Sequence, residues 1–247
     1  MKYLLAALVA CVLLSACGGG AAKKSSTDIT ANESPGDLYV NMAAAYYQRG
    51  QMNEALDRAL QGMAQDKRNP RAHYVLGIIY QRLGKTKEAR QYFAEAVRIE
   101  PNNPDFLNAH GSMLCLERKY AEALAQFEKA LADPLYRSPE VARMNAADCA
   151  RRSNRRAESE RYLREALSTN PNFAPALLAM AKLSFERGAY PDARHYMARY
   201  SRVGQTTPEA LLLASRIEAQ LGNKKGAKAL AEALQARFPD APELMQL

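Results

Sequence analysis

From residue 36 to about residue 241 the chain alternates apolar and polar positions at helical spacing, and the pattern recurs as helix-turn-helix pairs. The turn inside each pair is the clearest marker, because it needs a residue that tolerates positive φ. Gly50, Gly84, Gly188 and Gly222 fill it. Thirty-four residues after Gly84 stands Arg118, 36 further on Asn154, and 34 beyond that Gly188. Asn follows Gly in tolerance of the left-handed region, whereas Arg118 departs from the pattern. Five residues after each turn a small-residue column runs through Ala55, Ala89, Ala123, Ser159, Ala193 and Ala227. Seven before it runs another, Ala43, Gly77, Gly111, Ala147, Ala181 and Ser215. Nine after it comes a filling position held by Ala59, Phe93, Phe127, Leu163, Met197 and Ala231. Small columns let the two helices of a pair approach, and Asn-Pro or Pro steps stop one helix before the next begins. Trp is absent, runs of β-branched residues are scarce, and helix formers dominate, so the composition reads all-α.

These columns resemble the tetratricopeptide repeat (TPR). The resemblance implies a right-handed superhelical solenoid of six helix pairs, with units at about 36–69, 70–103, 104–139, 140–173, 174–207 and 208–241 and a tail over 242–247. It departs from the family at the aromatic position early in the first helix, where Tyr39, His73, Leu107, Arg143, Leu177 and Leu211 stand. First helices line the concave groove of such a solenoid. The family's groove positions correspond here to Val40, Ala44 and Tyr47, then Tyr74, Ile78 and Gln81, then Asn108, Ser112 and Cys115, and then Met144, Asp148 and Arg151. The first third is apolar and aromatic, and the middle turns polar and basic. Such a patch reads either as a contact site or as ordinary packing one position out of register.

The first 16 residues hold one cation, Lys2, before an apolar run from Leu4 to Leu14. The run is too short for a permanent membrane span and reads as a secretory signal. Leu14-Ser15-Ala16-Cys17 resembles a bacterial lipobox, which implies cleavage between Ala16 and Cys17 and acylation of Cys17. Three acyl chains would anchor the protein stably in lipid. Gly18 follows, not the Asp that retains lipoproteins at the inner membrane in enteric-type bacteria, so the resemblance implies an outer-membrane, periplasm-facing address. Residues 17–36 have almost no large apolar side chain and read as a flexible tether.

Net charge is +8, from 34 basic and 26 acidic residues. No long single-sign run dominates, and the excess reads as a mixed surface with spare arginines. Arg151, Arg152, Arg155 and Arg156 frame the fourth turn, a solvated basic turn that an acidic segment or anionic lipid would suit. The three histidines, His73, His110 and His195, share no i, i+4 face, so no zinc site is expected, and His110 reads as a satisfied core residue. No phosphate loop or nucleophile elbow occurs. No catalysis, cofactor, metal, nucleic-acid partner or small-molecule substrate is expected. Of the cysteines left in the mature chain, Cys115 and Cys149 lie on neighbouring first helices. A bridge is geometrically conceivable, but the narrow Cα window favours two free thiols.

The lipobox together with VNMAAAYYQRGQMNEAL, YVLGIIYQRLGKTKEARQYFAEAVRIEPNNPDFLNAHGSMLCLERKYAEALAQFEKAL and NAADCARRSNRRAESERYLREAL resembles the type IV pilus biogenesis and stability lipoproteins, the secretin pilotins of the PilF/PilW type. That resemblance implies a protein partner, the secretin subunit of the type IV pilus, and a lipid partner through acylated Cys17. The alternative is an adaptor of another envelope machine, such as outer-membrane protein assembly or a scaffold for peptidoglycan enzymes.

Overall fold

A computed structural model describes residues 34–246. The signal, lipobox and most of the tether, with Ala16 and Cys17, lie outside the described residues. Six antiparallel helix pairs follow one another: α1 (Pro35–Gln48) with α2 (Met52–Gln65), α3 (Pro70–Arg82) with α4 (Thr86–Ile99), α5 (Pro104–Leu116) with α6 (Tyr120–Leu131). Then come α7 (Pro139–Arg152) with α8 (Arg156–Thr169), α9 (Ala174–Glu186) with α10 (Tyr190–Val203), and α11 (Pro208–Gln220) with α12 (Lys224–Arg237). A 3-10 turn, Pro242–Gln246, folds back on α11. Each helix packs on its partner and on the next unit, which makes an all-α TPR solenoid. From Pro35 onward the array is one compact unit with its own core.

The periodicity has a local cause at each turn. All six turn residues have positive φ, from 63° at Arg118 and Asn154 to 77° at Gly188 and Gly222. The residue after each closes the same backbone bond to the carbonyl five positions back, as in Gln51 N to Tyr46 O at 3.0 Å and Lys119 N to Leu114 O at 2.9 Å. This is the Schellman closure of a helix end. Arg118 therefore adopts the geometry that its side chain disfavours.

At the unit boundaries, Asn69 and Asn103 start the next helix rather than end the last one. Their side chains cap the next one, accepting from Ala72 N at 3.0 Å and Asp105 N at 3.1 Å, and Pro70 and Pro104 sit at the first helical position. Asn170 differs: it ends α8, and α9 starts only at Ala174. The two extra residues of unit three lie in the connection 132–138, where Tyr136 folds inward against Leu107 and Ala142.

The small columns are buried wherever a following unit covers them. In the last unit Ala227 and Ala231 are only half-buried, and Leu234 is the one fully buried side chain of α12. The largest core cluster runs through units three to six around Phe127, Tyr162, Leu163 and Met180. His73, at the departing aromatic position, is buried: its Nε2 lies 2.9 Å from Lys67 O and its ring 5.9 Å from that of Tyr92.

Two expectations are corrected. Cys115 and Cys149 form a disulfide, with Cα atoms 5.7 Å apart, because α5 and α7 pack side by side within the bridging window. His110 is half-buried rather than a satisfied core residue, and its Nδ1 has no protein partner among the described residues. Burial, and then the Arg90 cation, push its pKa down.

Candidate partner-binding groove

First helices of consecutive units stand side by side, so residues one repeat apart line a continuous surface. Between units two and four this surface deepens into a cavity of about 360 Å³. Tyr74, Ile78 and Gln81 of α3 meet Asn108 and Ser112 of α5 around it. The apolar wall is packed ring on ring. Tyr74 lies 5.0 Å from the ring of Phe106 and 5.9 Å from that of Phe93, centre to centre, and Ile78 packs on the cluster of Phe93 and Met113. Burial, and then the nearby Asp105 carboxylate, push the Tyr74 phenol up to about 12, so it stays a neutral hydrogen-bonding group at neutral pH.

The facing wall is polar. Asn145 Nδ2 donates to Asn108 Oδ1 at 2.9 Å and so ties α7 to α5, while Ser112 Oγ donates to the Asn108 carbonyl at 2.9 Å. Asp148 borders this cavity and a second one of about 330 Å³ that continues into units four to six, lined by Met144, Arg151, Lys182 and Glu186. Arg151 pairs with Asp148 at 2.8 Å, and Lys182 of α9 pairs with Glu209 of α11. A segment entering from unit two would meet aromatic and aliphatic side chains first, then amides, then paired charges. Among the described residues no group of three or more His, Cys, Asp or Glu is placed to hold a metal ion.

TPR family models match residues 43–84, 70–103, 150–217 and 209–241. The type IV pilus assembly protein PilF of Pseudomonas aeruginosa is 25% identical over 212 residues, 85% of this chain and 83% of that one. Its solved structure superposes with a TM-score of 0.78 at 24% identity, over 85% of this chain and 95% of that chain. The crystal structure of PilW, described as a widely conserved type IV pilus biogenesis factor, aligns with a TM-score of 0.81 and 31% identity, over 87% of this chain and 98% of that chain. This chain belongs to the type IV pilus biogenesis family of TPR proteins.

In this member of the pilus biogenesis family, seven of the twelve groove positions read from the sequence converge on one cavity, Tyr74, Ile78, Gln81, Asn108, Ser112, Cys115 and Asp148, and Met144 and Arg151 line the second beside it. Three do not. Val40 is buried, a correction to its reading as a groove residue. It stands at the same distance before its turn as Tyr74, but in unit one, outside the cavity of units two to four, and it packs against α2, where a Cβ on Gly62 would lie 3.0 Å from its Cγ2. Tyr47 is half-buried against the core cluster of units one and two, and Ala44 is half-buried on α1, both away from the cavity. Asn145 and Arg152 also line the cavity; the sequence marks Arg152 only as part of the basic fourth turn and Asn145 not at all. Asn145 lies 37 residues after Asn108, one more than the 36-residue step of the long third unit, so it stands one position past the column that holds Asn108.

Proposed function

We propose that this pilus biogenesis protein is a lipid-anchored outer-membrane pilotin. It binds a subunit of the type IV pilus secretin in the groove of units two to four, brings it to the outer membrane and promotes its multimerisation, so that pilus assembly and twitching motility depend on it. The observation that carries this reading is the cavity that Tyr74, Ile78, Gln81, Asn108 and Ser112 line together, in a chain whose relatives act in pilus biogenesis. Its aromatic wall is locked by Phe93 and Phe106, so little side-chain ordering opposes binding of an apolar side chain there. The amides of Gln81, Asn108 and Asn145 suit the backbone or polar side chains of the same segment. An anchor at Cys17 would raise the local concentration of the held subunit at one membrane, and mass action would then favour assembly there.

The test fills the groove without touching the core. Gln81→Arg and Ser112→Arg in the full-length protein should leave helical content and membrane fractionation unchanged, while heat-resistant secretin multimers disappear and monomers accumulate. Wild-type levels of multimer would remove the groove from this reading. Cys17→Ala tests the address separately: the protein should leave the outer-membrane fraction, and retention there would exclude the anchor.

A further inference from the structure

Consecutive helices are antiparallel, so the six turns within units lie along one edge of the array and the five connections between units along the other. Charge is divided unevenly between these edges. The five-residue stretches centred on the six turns hold ten Lys and Arg against two carboxylates, Glu117 and Glu186. The connections between units balance, with Lys67, Arg68 and Arg137 against Asp66, Glu100 and Asp133. The basic excess of the array is therefore carried by its turn edge rather than spread over its surface. Arg82, Arg118, Arg152 and Arg156 are exposed there and have no carboxylate at ion-pair distance among the described residues, whereas Lys119 and Arg155 have partners in Glu117 and Glu158.

Two large apolar side chains are exposed on the same edge, at neighbouring turns: Leu83, 40% exposed, and Leu116, 46% exposed. Cations interleaved with protruding leucines are what a headgroup interface favours, since phosphates attract the former and the acyl boundary accepts the latter. We propose that the turn edge of units two to four docks on the surface of an anionic phospholipid bilayer, with the arginines on lipid phosphates and Leu83 and Leu116 in the interface. An acidic protein segment would use the charge, but a polar acidic chain gives the leucines no cover. Leu116 and Arg152 also border the groove cavity, so docking would bring the mouth of the groove to the bilayer. The proposal stands on the charge distribution and the leucines, and does not depend on which protein the groove holds.

The experiment uses the unacylated array from residue 34 onward and vesicles of phosphatidylcholine with or without phosphatidylglycerol. The array should sediment with the phosphatidylglycerol vesicles only, and less so as salt rises. Arg82→Gln, Arg118→Gln and Arg156→Gln together should weaken binding at least ~10-fold, given the contribution of each surface cation. Leu83→Ser should remove the part of the binding that survives high salt. The proposal is overturned if phosphatidylglycerol vesicles do not bind, or if the three substitutions change nothing. It is equally overturned if Lys67→Gln, Arg68→Gln and Arg137→Gln on the opposite edge weaken binding as much. Capture of polyglutamate through the turn arginines with vesicles ignored would assign the edge to an acidic protein instead.

Discussion

A β-carbon on Gly77 would stand 2.5 Å from Cε1 of Phe93, closer than any side chain can pack. The same relation holds between Gly111 and Phe127, at 2.9 Å. Across the six units the two columns vary together. Glycine faces phenylalanine in units two and three, whereas Ala43, Ala147 and Ala181 accompany the fillers Ala59, Leu163 and Met197. Gly77→Ala would gain about 1 kcal/mol of helix propensity but forces Phe93 off its place at ~1–3 kcal/mol, so the net effect is destabilising. Gly77→Ala together with Phe93→Leu should recover part of the loss, and urea unfolding of the two single variants and the pair measures the coupling. A more stable Gly77→Ala would show that Phe93 does not impose the glycine.

The Cys115–Cys149 disulfide closes a loop with a sequence separation of 34 residues and joins unit three to unit four. Chain-entropy arguments for a loop of this size give about 3–4 kcal/mol of stabilisation. Cys115→Ala with Cys149→Ala should lower the unfolding free energy by ~2–4 kcal/mol in denaturant. Reductant should weaken the wild type similarly and leave the double variant unchanged. Insensitivity of the wild type to reductant would mean that the bridge adds nothing to the stability of the array.

Arg118, with φ of 63°, occupies a conformation that four of the six turns give to glycine. Left-handed backbone costs an L residue on the order of 1 kcal/mol or more, and replacement by glycine returns this less about 0.5–1 kcal/mol of unfolded-state entropy. Arg118→Gly should therefore raise stability by a few tenths to ~1 kcal/mol, and Asn154→Gly by less, since Asn tolerates this region. Calorimetry of both variants checks the order. A gain at Asn154 larger than at Arg118 would overturn it.

The repeat was legible because its requirement is physical and recurs six times: a positive φ at each turn and a small side chain where helices touch. Even Arg118 obeyed, since five other turns fix the register. What escaped detection depended on distances between units. Measured from their turns, Cys115 and Cys149 stand two residues out of step, about 3 Å along a helix, which the bridging window absorbs. Val40 and Tyr74 occupy equivalent register positions, yet one is buried and the other borders the cavity, because the cavity opens only between units two and four. Asn145 stands nine residues before its turn where Asn108 stands ten, so no shared column marks it.

Unit six depends on a polar joint to unit five. Arg194 of α10 grips Glu218 of α11 with two bonds, Nε to Oε1 at 2.7 Å and Nη2 to Oε2 at 2.5 Å, and Asn223 Nδ2 donates to Oε2 at 2.6 Å. Hydrogen bonding by Arg194 first, and then by Asn223, holds the Glu218 carboxyl below the usual carboxylate range against the opposing effect of burial. A depressed carboxylate contributes stability above its unfolded pKa and loses it as pH falls through the lowered folded value. Glu218→Gln should therefore unfold at a lower temperature than wild type at neutral pH, and the two midpoints should converge as pH drops below ~4.3. Because the last unit has a neighbour on one side only, the loss should show first as amide exchange in α12. Midpoints that stay separated by the same interval into acid would assign the effect to packing of the Glu218 side chain rather than to its charge.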